Sequence, residues 1–215
     1  MKILESEFYL EDTIKVAKNL LGKILIHKID DILVGGKIVE TEAYLGINDK
    51  AAHVYGGRKT PRVMPMYGPP GNGYIYSIYG KYVCLNAITQ QVGTPQGVLI
   101  RAVEPLIGLK YISRFRFDKE YNELTKKEIL NLTSGPSKLC LALKITKEQN
   151  NKMLNDELMI IENDDDAKKL FEIKEDLEGE IVESKRIGID YAEEAKDYLY
   201  RFYYKDNSFV SKKDK

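Results

Sequence analysis

The chain has 215 residues, with 33 Lys+Arg balanced by 33 Asp+Glu, two cysteines and two histidines. One domain with a self-sufficient core is the expectation at this length, and so few cysteines and histidines argue against a disulfide framework, a zinc site or any metal cofactor. No apolar run reaches membrane-spanning length and the start, MKILESEFYLED, lacks the apolar stretch of a secretory leader, so a soluble, cytoplasmic protein with no membrane partner is expected.

Residues 6–10 form a short apolar-acidic lead-in. Asp12 is placed to cap a helix with Ile14, Ala17, Leu20 and Leu21 on one side, ended by Gly22. Residues 23–29 are β-rich, Asp30-Asp31 marks a turn, and Ile32–Tyr44 reads as a long strand with a bulge at Gly35-Gly36. Period 2 puts Ile38, Glu40, Glu42 and Tyr44 on one face of it and Lys37, Val39, Thr41 and Ala43 on the other. Residues 46–73 are long, Gly/Pro-rich and basic, and a connection of that length is usually functional. Residues 74–78 and 82–88 are strands joined at Tyr79-Gly80-Lys81, a tight hairpin. Residues 97–103 form another strand, and Pro105 suits the first turn of a helix running to about Phe117. Thr125 and Thr146 each head a capping-box pattern, and Ser134-Gly135-Pro136 opens a further helix. Residues 157–161 and 181–189 read as strands around an acidic, looped stretch at 163–179. A last strand covers 200–204, and 211–215 reads as a frayed tail. The pattern is α+β: a curved, mostly antiparallel sheet with helices at its rim and a protruding hairpin, in one domain spanning 1–215.

The neutral total hides an uneven distribution. Residues 50–117 carry a net +8 and residues 156–180 a net −8. A basic stretch favours a polyanion even when the total is neutral; the alternative is two solvated faces of opposite sign. Seven of the fifteen tyrosines lie between Tyr44 and Tyr82. Strand tyrosines are commonly half-buried packing residues, which suits Tyr67, Tyr74 and Tyr82. Tyr44, Tyr76 and Tyr79 fit that role less well, having a same-face Glu, a polar neighbourhood and a hairpin tip around them.

Glu40 and Glu42 sit two apart on one strand face, roughly 6.5–7 Å between Cα atoms. Such a pair can divide acid and base roles in the manner of a carbohydrate hydrolase, or one member can be a simple ion-pairing residue. His53 lies in a Gly-rich polar loop, where it can bond a ligand or a loop carbonyl. Arg101 follows Val98-Leu99-Ile100 inside a strand, so it needs a partner such as Glu42. Arg58, Lys59, Arg62 and Lys138, near Gly/Pro turns, and the helix start at 134–138 are candidate phosphate contacts. A non-catalytic nucleic-acid-binding module that uses the tyrosines as a stacking platform is also compatible with these residues.

The pieces VETEAY (39–44), AAH with GGR and TPR (51–62), YIYSIYGKYVCLN (74–86), VLIRAVEP (98–105), SGPSKL (134–139), RIGI (186–189) and RFYY (201–204) occur in this order. With them the chain resembles the alkyladenine (3-methyladenine) DNA glycosylases of vertebrates and many bacteria. The resemblance implies a monofunctional hydrolase that flips alkylated or deaminated purines out of double-stranded DNA and cuts the N-glycosidic bond, initiating base excision repair. It assigns Glu42 as the base that activates water and Arg101 as a holder of that water, with a backbone carbonyl near Ile187 as a further contact. Tyr44 on one side and His53 with Tyr76 on the other would enclose the base, and Asn86 would crowd the exocyclic amino group of normal guanine. Tyr79 would fill the gap in the duplex. Arg58, Lys59, Thr60, Arg62, Lys81, Ser137 and Lys138 would touch the DNA backbone; Lys81 stands where relatives often carry a methionine. No cofactor is implied. A monomer of the bacterial cytosol and nucleoid, meeting downstream abasic-site repair enzymes only transiently, is the matching expectation.

Overall fold

In the computed structural model, which describes residues 1–173 and 179–214, Asp12 opens the first substantial helix. Its Oδ1 accepts from the N–H groups of Ile14 (3.0 Å) and Lys15 (3.1 Å), satisfying donors that a helix start leaves free. This helix, α2 (Thr13–Asn19), follows a single turn, α1 (Ser6–Tyr9), and leads into β1 (Ile24–Ile29) and the long β2 (Ile32–Tyr44). Then come β3 (Gly73–Ile78), β4 (Tyr82–Thr89) and β5 (Gln96–Ile107), followed by three helices, α3 (Leu109–Phe117), α4 (Lys126–Leu130) and α5 (Pro136–Ala142). The chain closes with β6 (Leu158–Ile161), α6 (Asp165–Leu170), β7 (Ile181–Ser184) and β8 (Arg201–Tyr204).

The strands form one curled antiparallel sheet in the order β3-β4-β5-β2-β1-β6, with β8 pairing both β2 and β7. The main core lies where α2, α3 and α5 cover it, with Val16, Leu20, Ile38, Val103, Leu139 and Phe202 fully or almost fully buried. The architecture is α+β, as the sequence pattern implies. No described helix is long and apolar enough to cross a membrane.

Four local expectations are corrected. Pro105 does not start a helix; it lies within β5, opposite Gly36 at a register irregularity, where the missing N–H costs little. Only glycine fits at 36, since a Cβ there would stand 2.1 Å from the Glu104 carbonyl oxygen, and the helix begins instead after Gly108. The strand expected over 181–189 stops at Ser184, because Arg186 turns inward and takes the chain off the sheet. The acidic stretch at 163–179 contains α6, capped by Asp164, whose Oδ1 accepts from the Ala167 N–H at 2.8 Å; residues 174–178 lie outside the described part. The end of the chain is tied down: the Ser211 N–H donates to Glu40 Oε2 at 2.7 Å, and Asp214 pairs with Arg201 at 2.7 Å. Residue 215 lies outside the described part.

The bulge expected at Gly35-Gly36 is present, and two further irregularities follow, at Val39 on β2 and at Arg101 on β5. A bulge re-aims a side chain. Here the extra residue in β5 is Arg101, and its guanidinium lands on the carboxylates of β2.

Candidate active site

The end of β2 is held between β5 and β8, so residues 40–42 are hydrogen-bonded on both edges. Thr41 turns toward α2 and donates to the Ala17 carbonyl at 2.8 Å. Glu40 and Glu42 flank it with their carboxylates directed elsewhere, as a period of 2 requires. Both are completely buried, yet their surroundings differ. Glu40 is saturated: Oε1 accepts from Arg101 Nε (3.2 Å), Arg201 Nη1 (2.9 Å) and Ser211 Oγ (2.9 Å), and Oε2 from the Ser211 N–H. Glu42 Oε1 accepts from the Ile187 N–H at 2.8 Å and stands 3.2 Å from Arg101 Nη1, while Oε2 accepts from the Tyr44 hydroxyl at 2.8 Å. Arg101 therefore bridges the two carboxylates.

Above Glu42 opens a cavity of about 270 Å³. Its lining includes Tyr44, His53, Tyr76, Asn86, Arg101 and Ile187, so the expected base-binding residues and Arg101 converge on one space. Glu42 itself lies beneath this lining, behind the Tyr44, Arg101 and Ile187 groups that bond it. Glu40 is held by four donors with Arg101 standing between it and Glu42, so the two carboxylates do not flank one open space as a two-carboxylate carbohydrate hydrolase requires. Asn86 is fixed by its Nδ2 donating to the Tyr74 carbonyl at 3.0 Å. The contact that the 186–189 segment makes with Glu42 is through the Ile187 N–H.

His53 stands edge-on to Tyr76, centroids 4.5 Å apart at 82°, with Nδ1 3.0 Å from the Tyr74 hydroxyl. Burial, and then the charges of Arg62 and Arg58, pull its pKa from 6.5 down to about 4. The ring is neutral at neutral pH. The unfolded chain binds this proton more readily than the folded one, so the neutral ring's contribution to stability is complete above pH 6.5. It is lost as pH falls from there through about 4. His53→Gln is expected to flatten the dependence of unfolding free energy on pH in that window, by up to ~1.4 kcal/mol per pH unit. Urea titrations at a series of pH values measure it, and parallel curves for variant and parent would contradict the assignment.

The β3–β4 hairpin places Tyr79 at the cavity mouth with 91% of its surface exposed. Tyr79 (φ 50°) and Gly80 (φ 68°) are both left-handed, the backbone that tight hairpins demand. A non-glycine residue there is strained by ~1–3 kcal/mol, and its exposed ring recovers nothing from its own core. Lys81 shares the tip, its ammonium 5.8 Å from the Tyr82 ring. Arg62 also lines the mouth, 5.5 Å from the Tyr76 ring, and Arg58, Lys59 and Thr60 precede it on the same exposed loop. Pro136 also lines the cavity, followed in α5 by Ser137 and Lys138. The Lys138 ammonium donates to Asn131 Oδ1 at 2.6 Å, and burial beside Arg116 lowers its pKa. Not all of the basic stretch is free for a partner. Lys50 is paired with Glu193 (2.5 Å) and Glu194 (2.8 Å), and Arg101 with Glu40 and Glu42. The acidic α6 packs behind β6, at the opposite edge of the sheet from the hairpin.

Three residues of the site's support had no assigned role in the sequence reading. Arg186 is buried with its guanidinium 4.8 Å from the Tyr44 ring and 5.3 Å from that of Tyr200. Its Nη1 and Nη2 donate to Asp49 at 2.5 and 2.8 Å, and to the Ala43 and Ala195 carbonyls. Asp49 also accepts from the N–H groups of Leu45 and Ala51, fixing the start of the His53 loop. Arg201 secures Glu40. The sequence signal available was the arginine that opens RIGI and the one that opens RFYY, charged residues at the edges of apolar runs.

A ring-sized aromatic cavity thus lies over a buried carboxylate–arginine pair, with an exposed tyrosine at its mouth. The model of the family described as Methylpurine-DNA glycosylase (MPG) matches residues 7–208. The chain belongs to that family and is a DNA glycosylase, a DNA-repair hydrolase of N-glycosyl compounds. It is similar over its whole length to a protein of Clostridium acetobutylicum named "Putative 3-methyladenine DNA glycosylase", at 56% identity with 100% of both chains covered. Proteins of the same name match from Clostridium tetani, at 52% over 99% of this chain and 100% of the relative, and Clostridium perfringens, at 51% over 98% and 99%.

Proposed function

We propose that this protein excises alkylated and deaminated purines, namely 3-methyladenine, 7-methylguanine, hypoxanthine and ethenoadenine, from double-stranded DNA, acting as a monomer. The observation that carries the reading is Glu42, buried beneath a cavity whose walls are tyrosines and whose floor holds Arg101. A base inside a duplex stack cannot be reached, so the damaged nucleotide is extruded at a cost of a few kcal/mol. Tyr79 offsets that cost by taking the vacated place in the stack, as wedge side chains do. The extruded ring lies between Tyr44 and the His53–Tyr76 pair, where stacking contributes ~1–3 kcal/mol per base. Glu42 takes a proton from a water that Arg101 and the backbone at Ile187 help to hold, and the water oxygen attacks the sugar C1′ as the purine leaves. A 3- or 7-alkylated purine is cationic and leaves as a neutral base, so for it the protein needs mainly a positioned water and a base; hypoxanthine and ethenoadenine are uncharged and leave as neutral bases on taking up one proton from solvent. Asn86, held by the Tyr74 carbonyl, crowds the amino group of normal guanine. Arg58, Lys59, Thr60, Arg62, Lys81, Ser137 and Lys138 grip the backbone around the mouth, with the acidic α6 at the far sheet edge steering DNA to this side. The same face hands the abasic product to later repair enzymes, which it meets transiently.

The test is single-turnover incubation with duplexes carrying one hypoxanthine, ethenoadenine or alkylated purine. Free base and an abasic site are the expected products, and no release from any of them would contradict the proposal. In the same assay Tyr79→Ser is expected to slow release from duplex far more than from a free methylated nucleoside. Equal slowing on both would remove the wedge role.

A further inference from the structure

We propose that the Tyr44 hydroxyl holds Glu42 in its ionised form, so that one side chain both faces the base and sets the protonation of the carboxylate beneath it. The inference rests on the reading of Glu42 as the base. A fully buried carboxylate is expected to favour its neutral form unless donors compensate for the lost water. The donors are unevenly shared. Oε1 has the Ile187 N–H at 2.8 Å and Arg101 Nη1 at 3.2 Å, whereas the donor that the structure gives Oε2 is the Tyr44 hydroxyl at 2.8 Å.

The surrounding charges do not serve Oε2. Glu40, beside Glu42 on β2, opposes ionisation, and Arg201, its cross-strand neighbour on β8, is committed to Glu40 and Asp214. Arg101 on β5 divides itself between the two carboxylates, and Arg186, in the segment after β7, is clamped to Asp49. Tyr76 on β3, Cys84 on β4 and Tyr191 also couple to Glu42, and all three are held neutral because burial raises their pKa values. Tyr44 remains a donor: burial first, and then the Glu42 charge, keep its hydroxyl protonated far above neutral pH. Its ring is pinned from one face by Arg186 at 4.8 Å, so the hydroxyl cannot swing off Oε2 without breaking that stack. Tyr44 thus acts on the reaction through Glu42 as a positioning residue, in addition to its ring contact.

The experiment is a carboxyl-carbon NMR titration of the full chain labelled at glutamate, with the Glu42 signal identified by its loss in Glu42→Gln. Tyr44→Phe is expected to raise the Glu42 midpoint by about one pH unit or more, and to move the acid limb of single-turnover base release in the same direction. 3-Fluorotyrosine placed at position 44, a stronger donor, is expected to lower the midpoint. It also keeps the question open to test if Tyr44→Phe fails to fold. An unmoved midpoint in a folded variant overturns the proposal. If Glu42→Gln still releases base while the midpoint does shift, the hydroxyl link stands and the assignment of Glu42 as base falls. If Glu42→Gln is inactive and the midpoint is unmoved, the hydroxyl proposal alone falls.

Discussion

Glu40→Ala is expected to destabilise the fold by ~3–5 kcal/mol, because removing one member of a buried ion cluster leaves the others uncompensated. Glu40 accepts four hydrogen bonds, from two arginines and from both the backbone and side chain of Ser211. Without it, Arg201 keeps Ser184, Asp214 and the Lys185 and Lys212 carbonyls, but loses its fully buried counter-charge. Arg101 keeps Glu42 and a 3.4 Å contact with the Ser211 hydroxyl. The last residues of the chain lose their anchor as well, so one substitution loosens β2, β5, β8 and the tail together. In a chain of this size the loss corresponds to a fall in Tm of roughly 6–20 °C. A thermal melt within about 2 °C of the parent protein, the shift of an inconsequential surface substitution, would contradict the structural role. Glu40→Gln keeps the shape and is expected to be milder. Because both oxygens of Glu40 are taken by Arg101, Arg201 and Ser211, it has none to offer a water, and that variant, once folded, is expected to retain base release.

Glu42→Gln is expected to show the opposite pattern, a large kinetic loss with the fold retained. The amide can point its oxygen at the Ile187 N–H and Arg101, and its NH₂ at the Tyr44 oxygen, whose hydrogen rotates away. The polar contacts around position 42 thus survive the change. What does not survive is the capacity to take a proton from water, and general-base assistance is worth ~10²–10⁴-fold in rate. The two glutamates, identical in residue type and spaced two apart, separate by environment. One is enclosed by fixed donors on all sides, and the other lies under a cavity wide enough to admit a ring.

The sequence reveals this site unevenly, and the reason lies in range. Features set by neighbouring residues are legible: the Asp12 cap, the Thr125 box, the β3–β4 hairpin and the alternation that puts Glu40 and Glu42 on one face. Ile32–Tyr44 is read to the residue because its β-branched run and turn signals are local. Features set by distant pairing are not. Nothing near Arg186 says that Asp49, 137 positions away, waits to clamp it between two tyrosines, and that pairing ends the strand at Ser184. Pro105 reads as a helix start because the local rule is sound. The competing fact is Gly36 on another strand, which lets a proline sit inside β5. The tail reads as frayed because its own residues are polar, while its partner, Glu40, lies 171 positions earlier. The residues expected to touch the base or hold the water are legible for a different reason: the ordered motifs of the family carry them, and the fold then brings Tyr44, His53, Tyr76, Asn86 and Arg101 around one cavity.

The central claim is that Glu42 activates water for attack on an extruded purine. The most direct measurement follows one ethenoadenine in a duplex under single-turnover conditions, reading its fluorescence for extrusion and free base for cleavage, with parent protein and Glu42→Gln in parallel. The variant is expected to bind and extrude the base as the parent does while releasing it ~10²–10⁴-fold more slowly. Release by Glu42→Gln at the parent rate would contradict it.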